Sequence, residues 1–352
     1  MGIKRLNNFL SDKDVLKYHK NISDYIRSFK SDGYQFFNTR NEKFTVGVDL
    51  LLYAHKYKYS CDNIYDGFLN QILHFLSNRV IPVYIIDGVA PDEKNDIIEH
   101  RMNKRIKIDK KIKCLEDELI DLDDNKENSD EIISINNEIL KLSKNNIKIN
   151  SSDIDNLINL FNIFNIPYIR AKNEADTLIS ELYKKKIINA CLSEDMDLLV
   201  FGCRKMIKFK TNLVVEYDLD YILKKLDLSN EEFIELCILF GCDYLKPLLR
   251  MKPDEIYTKY KNNNSIPQLF NNNYNINTVN KYLEDYRNVK NIFLNGNKND
   301  NEKNNRIKLN LEHININKLY DFINDNNMTN YDGIGYHISH INDLIKNKKF
   351  GI

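Results

Sequence analysis

Three short apolar runs, each ending in an aspartate, restrict most strongly what this 352-residue chain can fold into. They cover residues 44–49, 81–87 and 187–195 and end at Asp49, Asp87 and Asp195. Unbroken apolar runs of this length are typical of strands covered on both faces, as in parallel sheets. Amphipathic helical patterns over 68–76 and 154–164 separate them. The alternation predicts an α/β fold with a central, mainly parallel sheet flanked by helices.

The stretch 92–150 differs from the rest because it contains no glycine. Its isoleucines and leucines step by three and four on both sides of the polar segment 123–129, which predicts a projecting helical hairpin. The first part of this hairpin is basic, through Arg101, Lys104, Arg105, Lys107, Lys110, Lys111 and Lys113. A solvated helix face and a phosphate-binding surface both account for these charges.

Four further acids stand in short, otherwise apolar stretches. They are Glu174, Asp176, Asp197 and Asp243. The carboxyl ends of parallel strands share one edge, where ligands bind, so we expect these acids to meet the three strand-end aspartates there. Crowded carboxylates repel unless divalent cations lie among them. An all-oxygen set favours Mg²⁺ or Mn²⁺, and this set is large enough for two ions about 4 Å apart, as in phosphodiester hydrolysis. Each acid taken alone could also be a helix cap or a surface residue.

The motifs around these acids resemble, in order, those of the flap endonuclease-like structure-specific 5′ nucleases. The similar segments are Met1-Gly2-Ile3 with Leu6, residues 82–88, Pro91 with Lys94 and Arg101, and residues 166–176, 193–202 and 239–244. The resemblance implies a PIN-like 5′ nuclease core with a helical arch and a helical C-terminal region. It also implies a magnesium-dependent endonuclease that cuts branched DNA, at 5′ flaps or junctions, in replication, recombination and repair.

The resemblance further implies roles for single residues. The seven acids would hold two Mg²⁺ ions, for which Mn²⁺ can substitute, while Lys94 and Arg101 would steer the scissile phosphate and stabilise its charge. The amine of Gly2, exposed when Met1 is removed, would lie near the DNA junction. The other predicted DNA-binding residues are Lys104, Arg105, Lys246, Arg250 and Lys252. His55 falls where the family often has a stacking aromatic residue, and an exposed helix histidine is an equally good reading.

The resemblance divides the chain into four parts. Residues 1–100 and 151–260 would form the nuclease core, residues 101–150 the arch, and residues 261–352 a helical region with Asn-rich loops at 262–264, 271–273 and 295–305. Segment 241–260 would bind DNA, although the family's glycine hairpin is missing because no glycine lies between Gly241 and Gly296. No sliding-clamp docking motif is found in the C-terminal region.

The long stretch before Asp49, the divergent tail and the Asn-rich composition predict a viral member of the family, from the poxvirus branch. The six cysteines form no C-x-x-C pair and are predicted to be reduced, and no apolar run reaches the ~18 residues that span a bilayer. We therefore expect a soluble intracellular protein, in the host cytoplasm if poxviral and in the nucleus if cellular. A catalytically weak or silent scaffold that binds branched DNA, and a PIN-type RNase, are the alternatives.

Overall fold

The protein is described by a computed structural model. It describes residues 2–31, 43–61, 63–90, 94–123, 129–211, 213–263, 265–270, 274–295, 307, 309, 311–329 and 333–347. Pro91, the Asn-rich segment 271–273 and most of 295–305 lie outside the described residues.

One mixed sheet of seven strands runs through the described part of the chain, in the order β1-β7-β6-β5-β2-β3-β4. The strands are β1 (Lys17–His19), β2 (Phe44–Asp49), β3 (Val80–Ile86), β4 (Tyr168–Arg170), β5 (Ala190–Leu192), β6 (Lys205–Lys210) and β7 (Leu213–Asp218). The five strands from β6 to β4 pair in parallel, whereas β7 and β1 are added antiparallel at one side. The predicted α/β fold with a mainly parallel sheet is confirmed.

Helices flank this sheet. They are α1 (Leu6–Asp12), α2 (Ile22–Ser31), α3 (Leu50–Ser60), α4 (Ile64–Ser77), α5 (Asn95–Asp123), α6 (Ser129–Asn145), α7 (Ser151–Ile163), α8 (Ala175–Lys184), α9 (Asp197–Val200), α10 (Leu219–Leu226), α11 (Asn230–Phe240), α12 (Pro253–Lys261), α13 (Ile276–Asn295), α14 (Ile316–Asp325) and α15 (Ile334–Lys346), with a 3₁₀ helix at Ile266–Leu269. The expected helical C-terminal region is therefore present.

Alternate side chains of the central strands enter two separate cores, because strand side chains point to opposite faces. In β3, Val83 and Ile85 join one core, while Tyr84 and Ile86 join the other. All seven residues of β3 are buried, as the unbroken apolar run predicts. The third predicted strand is shorter than expected, since only Ala190–Leu192 is paired.

The predicted helical hairpin consists of α5 and α6, and α5 begins at Asn95, six residues before the expected start of the arch at residue 101. Polar contacts join its two helices: Lys111 pairs with Glu138 at 2.5 Å, and Asp109 accepts from Asn146 and Lys148. Helix α5 ends at Asp123 and α6 begins at Ser129, at the two ends of the polar segment.

The segment between α11 and α12, in which no glycine hairpin was expected, begins at Gly241. Gly241 has a φ of 95°, and a Cβ atom there would lie 2.5 Å from Cδ of Pro247. Helix α1 packs on this segment, with the ring of Phe9 5.2 Å from that of Phe240 and the amide of Lys4 bonded to the carbonyl of Gly241. The chain start and the α11–α12 connection therefore form one packed unit.

The cysteine prediction is wrong for Cys191 and Cys203, which are disulfide-bonded in the structure. Both are fully buried and belong to the same core, which brings together residues that are 12 positions apart. Among the described residues, none of the helices combines the length and apolar character that crossing a membrane requires.

Candidate active site

Acidic side chains follow the parallel strands at their carboxyl ends. Asp49 ends β2 and caps α3, where its carboxylate accepts the N–H of Leu52 at 3.1 Å. Asp87 directly follows β3, and its Oδ1 accepts the N–H of Ala175 at 2.6 Å. Because Ala175 opens α8 just after β4, this bond joins two neighbouring strand ends.

The loop after β5 brings two more carboxylates to the same edge. Oδ1 of Asp195 accepts the N–H of Asp197 at 3.0 Å, and the N–H of Asp195 donates to Oγ of Ser193 at 3.0 Å. Gly2 covers this pair: a Cβ atom at Gly2 would lie 1.9 Å from Oδ1 of Asp195 and 2.6 Å from Oδ1 of Asp197. The chain start therefore lies against the acids, and a side chain at this position would displace the chain start or the two carboxylates.

The pKa values show that the acids interact. Burial raises the pKa of Asp49 to about 7, and the charges of Asp87 and Asp195 add to this. Burial also raises the pKa of Asp176, with further contributions from Asp195, Asp49 and Asp197. Burial, followed by the charge of Asp195, raises the pKa of Asp197 as well. The carboxylates from β2, β3, α8 and the loop after β5 thus form one electrostatic cluster.

Two cations at the base of the arch contact the remaining acids. Nζ of Lys94 lies 2.5 Å from Oε1 of Glu174, and Nη2 of Arg101 lies 2.8 Å from Oδ2 of Asp243. The hydroxyl of Tyr244 donates to Oε2 of Glu174 at 2.8 Å, while its ring lies 4.8 Å from Nζ of Lys94. These contacts connect α5, α8 and the segment after α11.

The acids also keep Lys94 charged. Burial lowers the pKa of Lys94, but Glu174, Asp197 and Asp176 more than offset it, so the pKa lies above its ordinary value. Burial likewise raises the pKa of Asp87, whereas Lys94 acts in the opposite direction. The structure therefore brings all seven predicted acids and both predicted catalytic cations into one region.

The chemistry of this cluster fits divalent cations. Within the described part of the chain, the buried Oδ1 atoms of Asp176 and Asp197 have no hydrogen-bond partner, although buried polar atoms are nearly always paired. A bound cation would satisfy both oxygens and would offset the burial and the repulsion that together raise the pKa values. No three Asp, Glu, His or Cys side chains among the described residues are arranged to hold a single ion as they stand. Two of the seven acids instead contact Lys94 and Arg101.

The predicted DNA-binding cations lie on the surface. Lys104, Arg105, Lys246, Arg250 and Lys252 are all exposed. Arg105 lies close enough to His55 to lower the pKa of this histidine, although burial has the larger effect. His55 is half-buried, so the reading as an exposed helix histidine does not describe it well.

No role was predicted for Tyr244 from the sequence, although it contacts both Lys94 and Glu174. Its position directly after Asp243 was the available signal. Lys208 was not predicted either, and its Nζ contacts the loop that carries Asp195.

A family model described as the XPG I-region matches residues 165–243. This segment contains five of the acids, Glu174, Asp176, Asp195, Asp197 and Asp243. The match therefore covers the loop after β5, the start of α8 and the end of α11, where most of the cluster lies.

Known proteins are similar to this chain over larger parts. Flap endonuclease 1 of Enterocytozoon bieneusi (strain H348) is 34% identical over 184 residues, which is 51% of this chain and 47% of that protein. The aligned part thus spans about half the length of this relative. The probable RAD2-like endonuclease 369L of Invertebrate iridescent virus 6 is 27% identical over 311 residues, 74% of this chain and 71% of that protein. The solved catalytic core of Rad2 in complex with DNA substrate has a TM-score of 0.58 and 17% identity, and the match covers 97% of this chain and 99% of that one.

Proposed function

We propose that this chain, a member of the flap endonuclease-like 5′ nuclease family, hydrolyses phosphodiester bonds in branched DNA. One observation carries the proposal. Seven acids from separate parts of the chain converge at one sheet edge, where Lys94 and Arg101 contact two of them. Clustered carboxylates with adjacent fixed cations suit phosphoryl chemistry, in which positioning and charge stabilisation supply most of the catalysis.

Lys94 and Arg101 would act on the scissile phosphate. Both begin in ion pairs with Glu174 and Asp243, so a phosphate that enters the cluster would compete for them. The guanidinium of Arg101 could bind two phosphate oxygens at once, whereas Lys94 would act as a point charge. Both would stabilise the negative charge that develops on the phosphate in the transition state.

We infer that the seven acids hold two Mg²⁺ ions, or Mn²⁺ in their place. When bound, such ions supply a hydroxide near neutral pH and stabilise the attacking and leaving oxygens. Asp176 and Asp197 are expected to contribute directly, because their buried oxygens have no other partner in the described structure. Asp49, Asp87 and Asp195 would complete the cluster from the strand ends, and Glu174 and Asp243 would join it once their cations turn to the phosphate.

We infer that the substrate is a 5′ flap or a junction. This is supported by the relatives named flap endonuclease and by the solved Rad2 core in complex with DNA substrate. Lys104 and Arg105 would bind a single strand at the arch, while the exposed Lys246, Arg250 and Lys252 would lie along the duplex. The buried Gly2, next to the acids, would lie near the junction and not on the duplex. In this scheme residues 1–100 and 151–260 form the core, 101–150 the arch, 241–260 the duplex contact and 261–352 the C-terminal region.

A role in viral replication, recombination and repair is our inference for the biological setting. The RAD2-like endonuclease of an invertebrate iridescent virus aligns over 311 residues, against 184 for the flap endonuclease of Enterocytozoon bieneusi, which favours a viral source. The poxvirus branch, with action in the host cytoplasm, stays a prediction from the sequence.

The test is cleavage of labelled 5′-flap, nicked, four-way-junction, duplex and single-stranded DNA, and of single-stranded RNA, with Mg²⁺ or with EDTA. We expect cutting of branched DNA only with Mg²⁺. Asp195→Ala should abolish cleavage while DNA binding persists, and the exposed Asp325→Ala should behave as wild type. Normal turnover by Asp195→Ala would contradict the site.

A branched-DNA scaffold is the second candidate, because Lys94 and Arg101 hold two of the acids in ion pairs. A scaffold would bind branched DNA in the same assay and cut nothing at any Mg²⁺ or Mn²⁺ concentration. Preferential cutting of single-stranded RNA would instead identify a PIN-type RNase.

A further inference from the structure

Lys208 is a buried lysine of β6 that contacts the residues on either side of Asp195. Its Nζ donates to the carbonyl oxygen of Glu194 at 3.0 Å and lies 3.2 Å from Sδ of Met196. Only 9% of Lys208 is exposed. Burying an ammonium group is unfavourable unless its donors find partners, so this position needs a reason beyond packing.

An aromatic ring also contacts the ammonium group of Lys208. The ring of Tyr217 lies 5.1 Å from Nζ of Lys208, and the hydroxyl of Tyr217 donates to Oδ1 of Asn7 in α1. Tyr217 is itself buried on β7. The ammonium group of Lys208 thus lies between Tyr217 of β7 and the backbone of the loop that carries Asp195.

Glu194 is held from a second direction. Its carboxylate lies 2.6 Å from Nζ of Lys56 in α3 and 3.9 Å from Nζ of Lys208. Glu194 and Met196 alternate along the chain with Asp195 and Asp197. A bond that fixes the Glu194 carbonyl therefore also limits how the two aspartates can turn.

We propose that Lys208 is a positioning residue, which orients Asp195 and Asp197 for cation binding by holding the Glu194 carbonyl and the Met196 thioether. This inference rests on the proposed function, since it concerns the same acids. Groups that orient metal ligands change metal affinity or activity by about 10–100-fold when they are removed. Lys208 touches neither substrate nor cation in this scheme and acts through the loop alone.

The experiment measures Mn²⁺ binding to DNA-free protein by electron paramagnetic resonance, and the Mg²⁺ half-saturation of single-turnover flap cleavage. Lys208→Met removes the charge and keeps the side-chain length. We expect about tenfold weaker Mn²⁺ binding and a matching shift of the Mg²⁺ half-saturation, with KM for DNA unchanged. Lys208→Arg, which retains a donor, should recover part of the loss. Lys210→Met, at the exposed end of the same strand, is the control and should match wild type.

If Lys208→Met does not fold, Met196→Leu carries the test, because it nearly keeps the side-chain volume and removes the thioether contact of Lys208. At least twofold weaker Mn²⁺ binding by Met196→Leu supports the inference, and a smaller change overturns it. Wild-type Mn²⁺ binding by a folded Lys208→Met protein also overturns it, even if the wild type cleaves DNA normally. A wild type that binds Mn²⁺ and cuts nothing contradicts the proposed function, while weaker binding by Lys208→Met would still support the positioning role. A wild type that binds no Mn²⁺ overturns both.

Discussion

Nζ of Lys94 and Oε1 of Glu174 lie 2.5 Å apart, which connects the residue before the arch helix α5 to the residue before α8. Both side chains are largely buried, so solvent screens this pair less than a surface pair. The ring of Tyr244 below the ammonium group completes the contact. The α5–α6 hairpin is thereby joined to the acid cluster through the ammonium group of Lys94.

Lys94→Ala should slow cleavage about 100-fold or more at saturating DNA, because the mutant lacks the cation that would stabilise the phosphate in the transition state. Single-turnover rates and KM on the same flap substrate measure this effect. Tyr244→Phe is the matched control: it keeps the ring below Lys94 and loses only the hydrogen bond to Glu174. We expect a much smaller loss for Tyr244→Phe. A Lys94→Ala protein with raised KM and normal rate would make Lys94 a binding residue.

Gly2→Ala should reduce both Mn²⁺ binding and cleavage while the protein stays folded. The added methyl group would lie 1.9 Å from Oδ1 of Asp195, and the φ of 76° at Gly2 disfavours any side chain. The chain start or Asp195 must therefore move. Gly335→Ala is the control, because its methyl group would have no neighbour nearer than 3.6 Å. Wild-type Mn²⁺ affinity in Gly2→Ala would show that the chain start moves away without disturbing Asp195.

The convergence of the acids was predictable because it depends on local patterns and one topological rule. Apolar runs that end at Asp49 and Asp87 define parallel strands, and parallel strands bring their carboxyl ends to one edge. The exact length of the third strand was not predictable, since Asp195 stands three residues beyond β5 on a loop held by Ser193 and Lys208. Those contacts join residues that the sequence does not mark as partners.

The buried charges at the antiparallel side of the sheet could not be predicted either. In the sequence, Lys205 and Glu216 resemble surface residues of a polar strand. They are buried because β1 pairs with β7, as between Lys17 and Glu216, and because α2 packs on these strands, with the ring of Phe29 5.9 Å from Nζ of Lys205. The paired residues of β1 and β7 are about 200 positions apart. Periodicity within one segment carries no information on such a pairing.

The metal-free protein should lose stability as the pH rises from about 4 to about 7. Asp49 has a pKa of about 7 in the folded protein, against an ordinary value of 3.8. Between these values the folded state binds more protons than the unfolded state, so the free energy of unfolding falls as the pH rises. Thermal unfolding in EDTA across this range measures the effect, and saturating Mg²⁺ should reduce it. Asp49→Asn should flatten the profile, and an unchanged slope would contradict the pKa of Asp49.

Lys205→Met should destabilise the protein by about 3–5 kcal/mol, because it removes one partner of a buried ion pair. Lys205 is fully buried, and its Nζ lies 2.8 Å from both Glu216 and Asp218. Urea unfolding measures the loss. Lys210→Met, on the same strand but exposed, should stay within about 0.5 kcal/mol of wild type. A similar small change for Lys205→Met would mean that the sheet rearranges around the missing charge.

The same buried group predicts acid sensitivity that is independent of the active site. Burial would raise the pKa of Glu216, but hydrogen bonds from His19 and Lys205 outweigh it and hold the pKa below its ordinary value of 4.5. Burial would also raise the pKa of Asp218, but hydrogen bonds from Lys205 and Lys17 outweigh it and hold this pKa below its ordinary value. A lowered carboxyl pKa gives stability that is complete above the unfolded value and is lost as the pH falls through the folded value. We therefore expect the free energy of unfolding to fall steeply below about pH 4, and Glu216→Gln to make this fall shallower while lowering stability at pH 7. If the free energy of unfolding falls equally steeply at low pH in the wild type and in Glu216→Gln, other carboxylates cause the acid sensitivity.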